Sequence, residues 1–156
     1  MPIRCEIVSQ DRMVFQGPAD IVVLPGEMGQ MGILPNHAPL LSTLKYGILT
    51  VRYQGQEEVF TVAGGVVEVQ PNIITVLADA AENVREIDVA RAEAAKRRSE
   101  EYLQAGPPPD VDTYLAIAAA LKRSNLRLEA ARRYGHPQSS SRMPGVDAGS
   151  DLGEHK

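Results

Sequence analysis

The chain has 156 residues, of which 44% are hydrophobic and 23% charged, with a net charge of −4 and one cysteine. Enough apolar material is present for a full core, whereas an acidic balance with 4% aromatics and no Trp offers neither a phosphate-attracting field nor a base-stacking surface, which excludes general nucleic-acid binding. No apolar run approaches the roughly 18 residues that span a bilayer, and Met1-Pro2-Ile3-Arg4 lacks the layout of a secretory leader, so a cytoplasmic chain is expected.

The first elements alternate with period two. In Ile3-Arg4-Cys5-Glu6-Ile7 every second residue is apolar, which predicts a half-buried strand and makes Cys5 a small buried hydrophobe. No His or Asn stands at a spacing that would make its thiol a nucleophile. The segment Gly26-Glu27-Met28-Gly29-Gln30-Met31-Gly32 is the densest glycine cluster. A P-loop would continue with Lys and Ser or Thr to reach phosphates and metal, but Ile33-Leu34-Pro35 follows, so a strand-connecting loop is expected, with Met28 and Met31 exposed to a partner. His37, in a Pro-flanked turn, reads as a hydrogen-bonding loop residue. With His136 and His155 it completes the histidines, none spaced for zinc.

Further alternating runs follow at Ile48-Leu49-Thr50-Val51-Arg52-Tyr53 and Val66-Val67-Glu68-Val69. Breaks at Gly17-Pro18, Pro25-Gly26, Pro35-Asn36, Gln54-Gly55, Gly64-Gly65 and Pro71-Asn72 give roughly nine short strands and an antiparallel sandwich or barrel. No nucleophile elbow or paired-carboxylate motif accompanies them.

After Ala78 the composition turns to Ala, Glu, Arg and Lys, free of Gly and Pro until Gly106, which predicts a helix from about Asp88, its N-cap, to Gln104. Gly106-Pro107-Pro108-Pro109 ends it, because proline lacks the amide donor and clashes with the preceding turn. A second helix starts near Asp110 or Asp112 and runs to about Tyr134, with Tyr114, Ile117, Leu121 and Leu128 as its apolar stripe. The fold class is thus α+β: an N-terminal antiparallel β-sandwich (1–84), an antiparallel two-helix hairpin (85–134) and a disordered Ser/Gly/Pro-rich tail (135–156).

Charge divides along the same lines. Met1–Glu82 holds four basic and nine acidic residues, Asn83–Tyr134 ten and eight. Asp88, Arg91 and Arg98 share one face of the first helix, and Arg123 and Arg127, with Lys122 nearby, stand one turn apart on the second. Converging guanidinium forks suit a triphosphate or an acidic partner segment. A solvated face with an Asp88–Arg91 pair explains the same pattern. Ala-rich helices bury little area per residue, so the hairpin is expected to rearrange easily, which suits a regulatory element.

The residues that carry a resemblance are Gly26 to Leu40 (GEMGQMGILPNHAPL), Val62 to Val69 (VAGGVVEV), Val76 to Glu82 (VLADAAE) and Ile87-Asp88-Val89-Ala90-Arg91-Ala92. Over about Ile3 to Leu128 the chain resembles the epsilon subunits of bacterial rotary F-type ATP synthases. The resemblance implies a non-catalytic central-stalk subunit that couples proton translocation to ATP synthesis at the cytoplasmic face of the plasma membrane and touches the membrane only through the complex. Its sandwich would bind the gamma subunit and the membrane c-ring, the latter through the loop of Glu27, Met28, Gly29, Gln30, Met31, Gly32 and His37. Its hairpin, when extended, would oppose ATP hydrolysis by setting Lys122, Arg123, Arg127, Arg132 and Arg133 against the catalytic alpha/beta subunits.

Some bacterial members bind ATP in the folded form through an Ile-Asp-x-x-Arg-Ala motif. That implies ATP as a regulatory ligand here, held by Glu82, Asp88, Arg91, Arg98, Arg123 and Arg127, with no required cofactor and no metal. A free-standing ATP-sensing module with the same arginines is the alternative. The three prolines of the hairpin turn and the long tail depart from the family pattern.

Overall fold

A computed structural model describes residues 1–135; the tail expected from Gly135 onward falls, beyond that residue, outside the described residues. The chain divides into two compact units, one of Met1–Asn83 and one that opens at Val84.

The first unit contains eight strands: β1 Ile3–Val8, β2 Met13–Ala19, β3 Ile21–Gly26, β4 Gly29–Ile33, β5 Leu40–Tyr53, β6 Gln56–Val69, β7 Ile73–Ala78 and β8 Ala81–Asn83. They are joined in the order β2-β1-β7-β6-β5-β3-β4, with β8 also on β6. Every pair is antiparallel except β1 with β7, which run parallel from Arg4↔Ile73 to Val8↔Leu77. The expectation of about nine short strands is corrected here: two of the eight run for 14 residues. The hairpin of β5 and β6 keeps its pairing from Leu40↔Val69 to Tyr53↔Gln56.

Glycines that read as a break in one dimension bend β6 instead of ending it. Gly64 and Gly65 have φ of 82° and 130°, conformations costly for residues with a Cβ. A Cβ on Gly65 would collide with the Leu77 carbonyl and lie 2.8 Å from Ala78 Cα. At this bend β6 changes partners, from β8 over Phe60–Val62 to β7 over Gly65–Val69. One long strand therefore serves both layers, and a sandwich results. Phe15 of β2 and Phe60 of β6 meet edge to face in the core, centroids 5.5 Å apart, an arrangement that adds about 0.5–1.5 kcal/mol to the burial of the two rings.

Cys5 is fully buried among these residues, and its thiol is pushed up to about 12 by loss of solvation, with Glu6 adding to the effect. It is the inert buried hydrophobe that the alternation implies.

The second unit opens with a 3-10 turn, Val84–Glu86, followed by helices α1 (Val89–Gln104) and α2 (Val111–Tyr134). Asp88 caps α1 by accepting the Arg91 backbone N–H at 3.0 Å, and Asp110 caps α2. The buried positions of α1 are Ala92 and Ser99, those of α2 Ser124 and Ala130. Here the expected Tyr114/Ile117/Leu121/Leu128 stripe is corrected: the two helices pack together, but Tyr114 is exposed and the other three are only half-buried, since small residues let the backbones approach closely.

Candidate functional site

In the first unit the glycine cluster forms a β-hairpin rather than an irregular loop. Gly26 pairs with Gly29, which leaves Glu27 and Met28 as a two-residue turn. Met28 is wholly exposed at its tip. Met31, expected to be exposed, is half-buried and packs on the core, because as a β4 residue opposite Leu24 it points inward. Of the three glycines in this cluster only Gly29 has positive φ, 127°; at Gly32 a Cβ would meet nothing closer than Ile21 Cδ1 at 3.6 Å. Gln30 and Gly32 are exposed along β4.

The segment between β4 and β5 is tied down by its backbone. Asn36, in the left-handed region at φ 64°, donates its N–H to the Pro71 carbonyl, and His37 donates its own to Leu34. His37 Nδ1 lies 2.7 Å from the Ala38 carbonyl oxygen. A carbonyl only accepts, so Nδ1 carries the proton. This is the hydrogen-bonding loop role expected of His37.

One surface escaped sequence reasoning. Leu41, Val66 and Leu77 are exposed, at 72%, 36% and 56% of their area. Their strands are consecutive, with Val66 opposite both Thr43 and Leu77 and Leu41 opposite Glu68, so all three project from one outer sheet face. The signal was present in doubled apolar residues: Leu40-Leu41, Val66-Val67 and Val76-Leu77 break the period-two pattern, and in each pair one member enters the core while the other faces out.

In the second unit Arg91, Arg98 and Arg123 are exposed and Arg127 is half-buried. Arg91 and Arg98 each precede a buried residue, Ala92 and Ser99, as Arg123 precedes Ser124. Equal offsets from the contact stripe project to the same side of an antiparallel helix pair, because a two-fold axis normal to its plane relates the helices. Counting 1.5 Å per residue from the turn, Arg91, Arg123 and Arg127 fall within about 6 Å along the hairpin axis and Arg98 about 10 Å nearer the turn. The Asp88 carboxylate takes the Arg91 backbone N–H and so fills the N-cap role expected of it, whereas the solvated-face alternative paired it with the Arg91 side chain. Glu82 belongs to β8 of the other unit, opposite Thr61, whose hydroxyl reaches the Glu82 carbonyl at 3.5 Å.

Of the five basic residues that the resemblance assigns to the extended hairpin, four fall on two stripes of α2. On a 3.6-residue period Arg123 and Arg127 share one and Lys122 and Arg133 another, and Arg132 lies on neither. Arg133 also lies 3.6 Å from the Glu129 carboxylate and 6.0 Å from the Tyr134 ring centroid.

Comparison with known proteins bears on both units. The family model of the ATP synthase delta/epsilon chain β-sandwich domain matches residues 2–84, and that of the delta/epsilon chain long α-helix domain matches residues 85–132. The ATP synthase epsilon chain of Pelotomaculum thermopropionicum is 51% identical over 100 residues, which cover 64% of this chain and 75% of the relative. That of Acidithiobacillus ferridurans is 43% identical over 133 residues, 85% of this chain and 93% of the relative. A chain in the cryo-EM structure of the Euglena gracilis mitochondrial ATP synthase, OSCP/F1/c-ring in rotational state 1, superposes with a TM-score of 0.69 at 25% identity, covering 85% of this chain and 82% of that one. A sandwich and a helical hairpin in this order, each matched along its length, make the chain a member of the ATP synthase delta/epsilon family, of the epsilon type.

Proposed function

We propose that the chain is a non-catalytic part of the rotor in a bacterial F-type ATP synthase, peripheral at the cytoplasmic face of the membrane. Its sandwich joins the gamma subunit to the c-ring. The outer sheet face of Leu41, Val66 and Leu77 carries this reading, since three large aliphatic side chains kept in water across neighbouring strands suit a permanent protein partner. That face is assigned to gamma and the Glu27–Met28 tip, with Gly29, Gln30 and the His37 loop, to the c-ring. The hairpin regulates ATP hydrolysis through its basic residues, and ATP is the ligand that holds its folded form.

Leu41→Glu and Leu77→Glu test the assignment. Both side chains are exposed, so the variants should fold with stability changed by no more than about 0.5 kcal/mol, while a charge buried against gamma should lower affinity at least tenfold. Binding to gamma at unchanged affinity by both variants would refute it.

A further inference from the structure

Glu58 is the one carboxylate buried among the described residues, 3% exposed. On β6 it shares its face with Phe60 and Val62 of the core and stands opposite Val51, itself a core residue. A carboxylate there costs free energy unless it is hydrogen-bonded. Its Oε2 accepts the Asn83 side-chain N–H at 2.9 Å. Asn83 is the last residue of β8, a strand of three residues whose register on β6 is only Phe60↔Asn83 to Val62↔Ala81. So short a strand is held weakly by its ladder alone.

The next residue is anchored to something else. Val84 is buried and begins the 3-10 turn that packs against α2. Two consecutive residues thus belong to different bodies, each tied to its own. We propose that Glu58 is a buried latch that keeps β8 on the sandwich through Asn83, so that movement of the hairpin pivots at the Asn83–Val84 junction and does not peel β8 away. The latch deepens the proposed regulatory role and rests on it for its purpose, not for its existence. Glu58 acts here as a positioning residue, through Asn83.

Hydrogen exchange on the full chain tests the latch. Asn83→Ala should speed exchange of the amides of residues 81–83 at least tenfold while β1 and β7 exchange as before. Glu58→Gln should stay within about threefold of the parent, because the amide oxygen accepts the same N–H. Unchanged exchange in 81–83 for Asn83→Ala overturns the proposal. So does equal acceleration in β7, which would make the bond a general stabiliser, or a Glu58→Gln variant as loose as Asn83→Ala. In the assembled synthase, hydrolysis indifferent to the hairpin would remove its regulatory role yet leave the exchange pattern, so the two failures are distinguishable.

Discussion

Thr113 bonds Asp110 twice, its backbone N–H reaching Oδ1 at 2.7 Å and its hydroxyl reaching Oδ2 at 2.9 Å. This double cap starts α2 directly after Pro107-Pro108-Pro109, where the chain has no helical turn before it to continue. The two bonds favour the charged carboxylate and hold Asp110 below the usual carboxylate range, the backbone bond from Thr113 contributing most. A depressed folded value means that the cap's contribution is complete above the ordinary carboxylate range and is lost as pH falls through the lowered one. Amides of the first turn of α2 should therefore lose protection in that acid range. Asp110→Asn, which caps without titrating, should remove the pH dependence there. A Thr113 amide whose exchange ignores pH in the parent chain would contradict this.

The β3–β4 hairpin distinguishes two glycines that look alike in sequence. Gly29→Val places a β-branched residue at φ 127° and should destabilise the sandwich by about 1–3 kcal/mol, although nothing stands within 4 Å of the new Cβ. Gly32→Ala meets only an ordinary contact with Ile21 and should be neutral or up to about 1 kcal/mol stabilising. Urea midpoints of the two variants give the comparison, and equal midpoints would show that Gly29 is not conformationally constrained.

What the sequence disclosed was local chemistry. The Ile3/Cys5/Ile7 alternation specified β1, Asp88 specified the start of α1, and the pair Asp110 and Asp112 after three prolines bracketed that of α2. What it hid was pairing. Gly64-Gly65 punctuates the text but not the ladder, because Leu44 and Tyr46 on the neighbouring strand hold Gly65 and Ala63 in register through the bend. The outward set Leu41/Val66/Leu77 needs two registers, β5 on β6 and β6 on β7, before its members become neighbours, and the Arg91/Arg123 side of the hairpin needs the two-fold relation of its helices. Met31 departs from the exposed position expected of it because a glycine-rich run reads as a loop, whereas strand geometry sends alternate residues to the core.

The junction also dictates where the regulatory part should be cut. Ending the chain after Asn83 keeps the bond to buried Glu58, whereas a cut after Glu82 removes it. A chain of residues 1–83 should still bind gamma, and a synthase assembled with it should hydrolyse ATP faster than one with the whole subunit if the hairpin brakes hydrolysis. Equal hydrolysis rates would remove the brake from this protein.

The proposed binding of ATP places the sharpest demand on the helices. Arg91, Arg98 and Arg123 project to one side of the hairpin, and a triphosphate that bridges both helices would meet them only while the helices are paired. Binding should then stabilise the paired form alone, by mass action. Arg91→Ala should cost the most, about tenfold to a hundredfold in affinity for the loss of one charge-assisted contact. Asp88→Ala should act through the helix, since its carboxylate caps the Arg91 backbone N–H, and should cost about 0.5–2 kcal/mol of helix stability, visible without nucleotide. Calorimetry and helical circular dichroism on the same variants separate the two effects. No heat at millimolar ATP would return these arginines to a partner-binding or solvated role, and an unchanged affinity in Arg91→Ala would move the nucleotide away from this side of the hairpin.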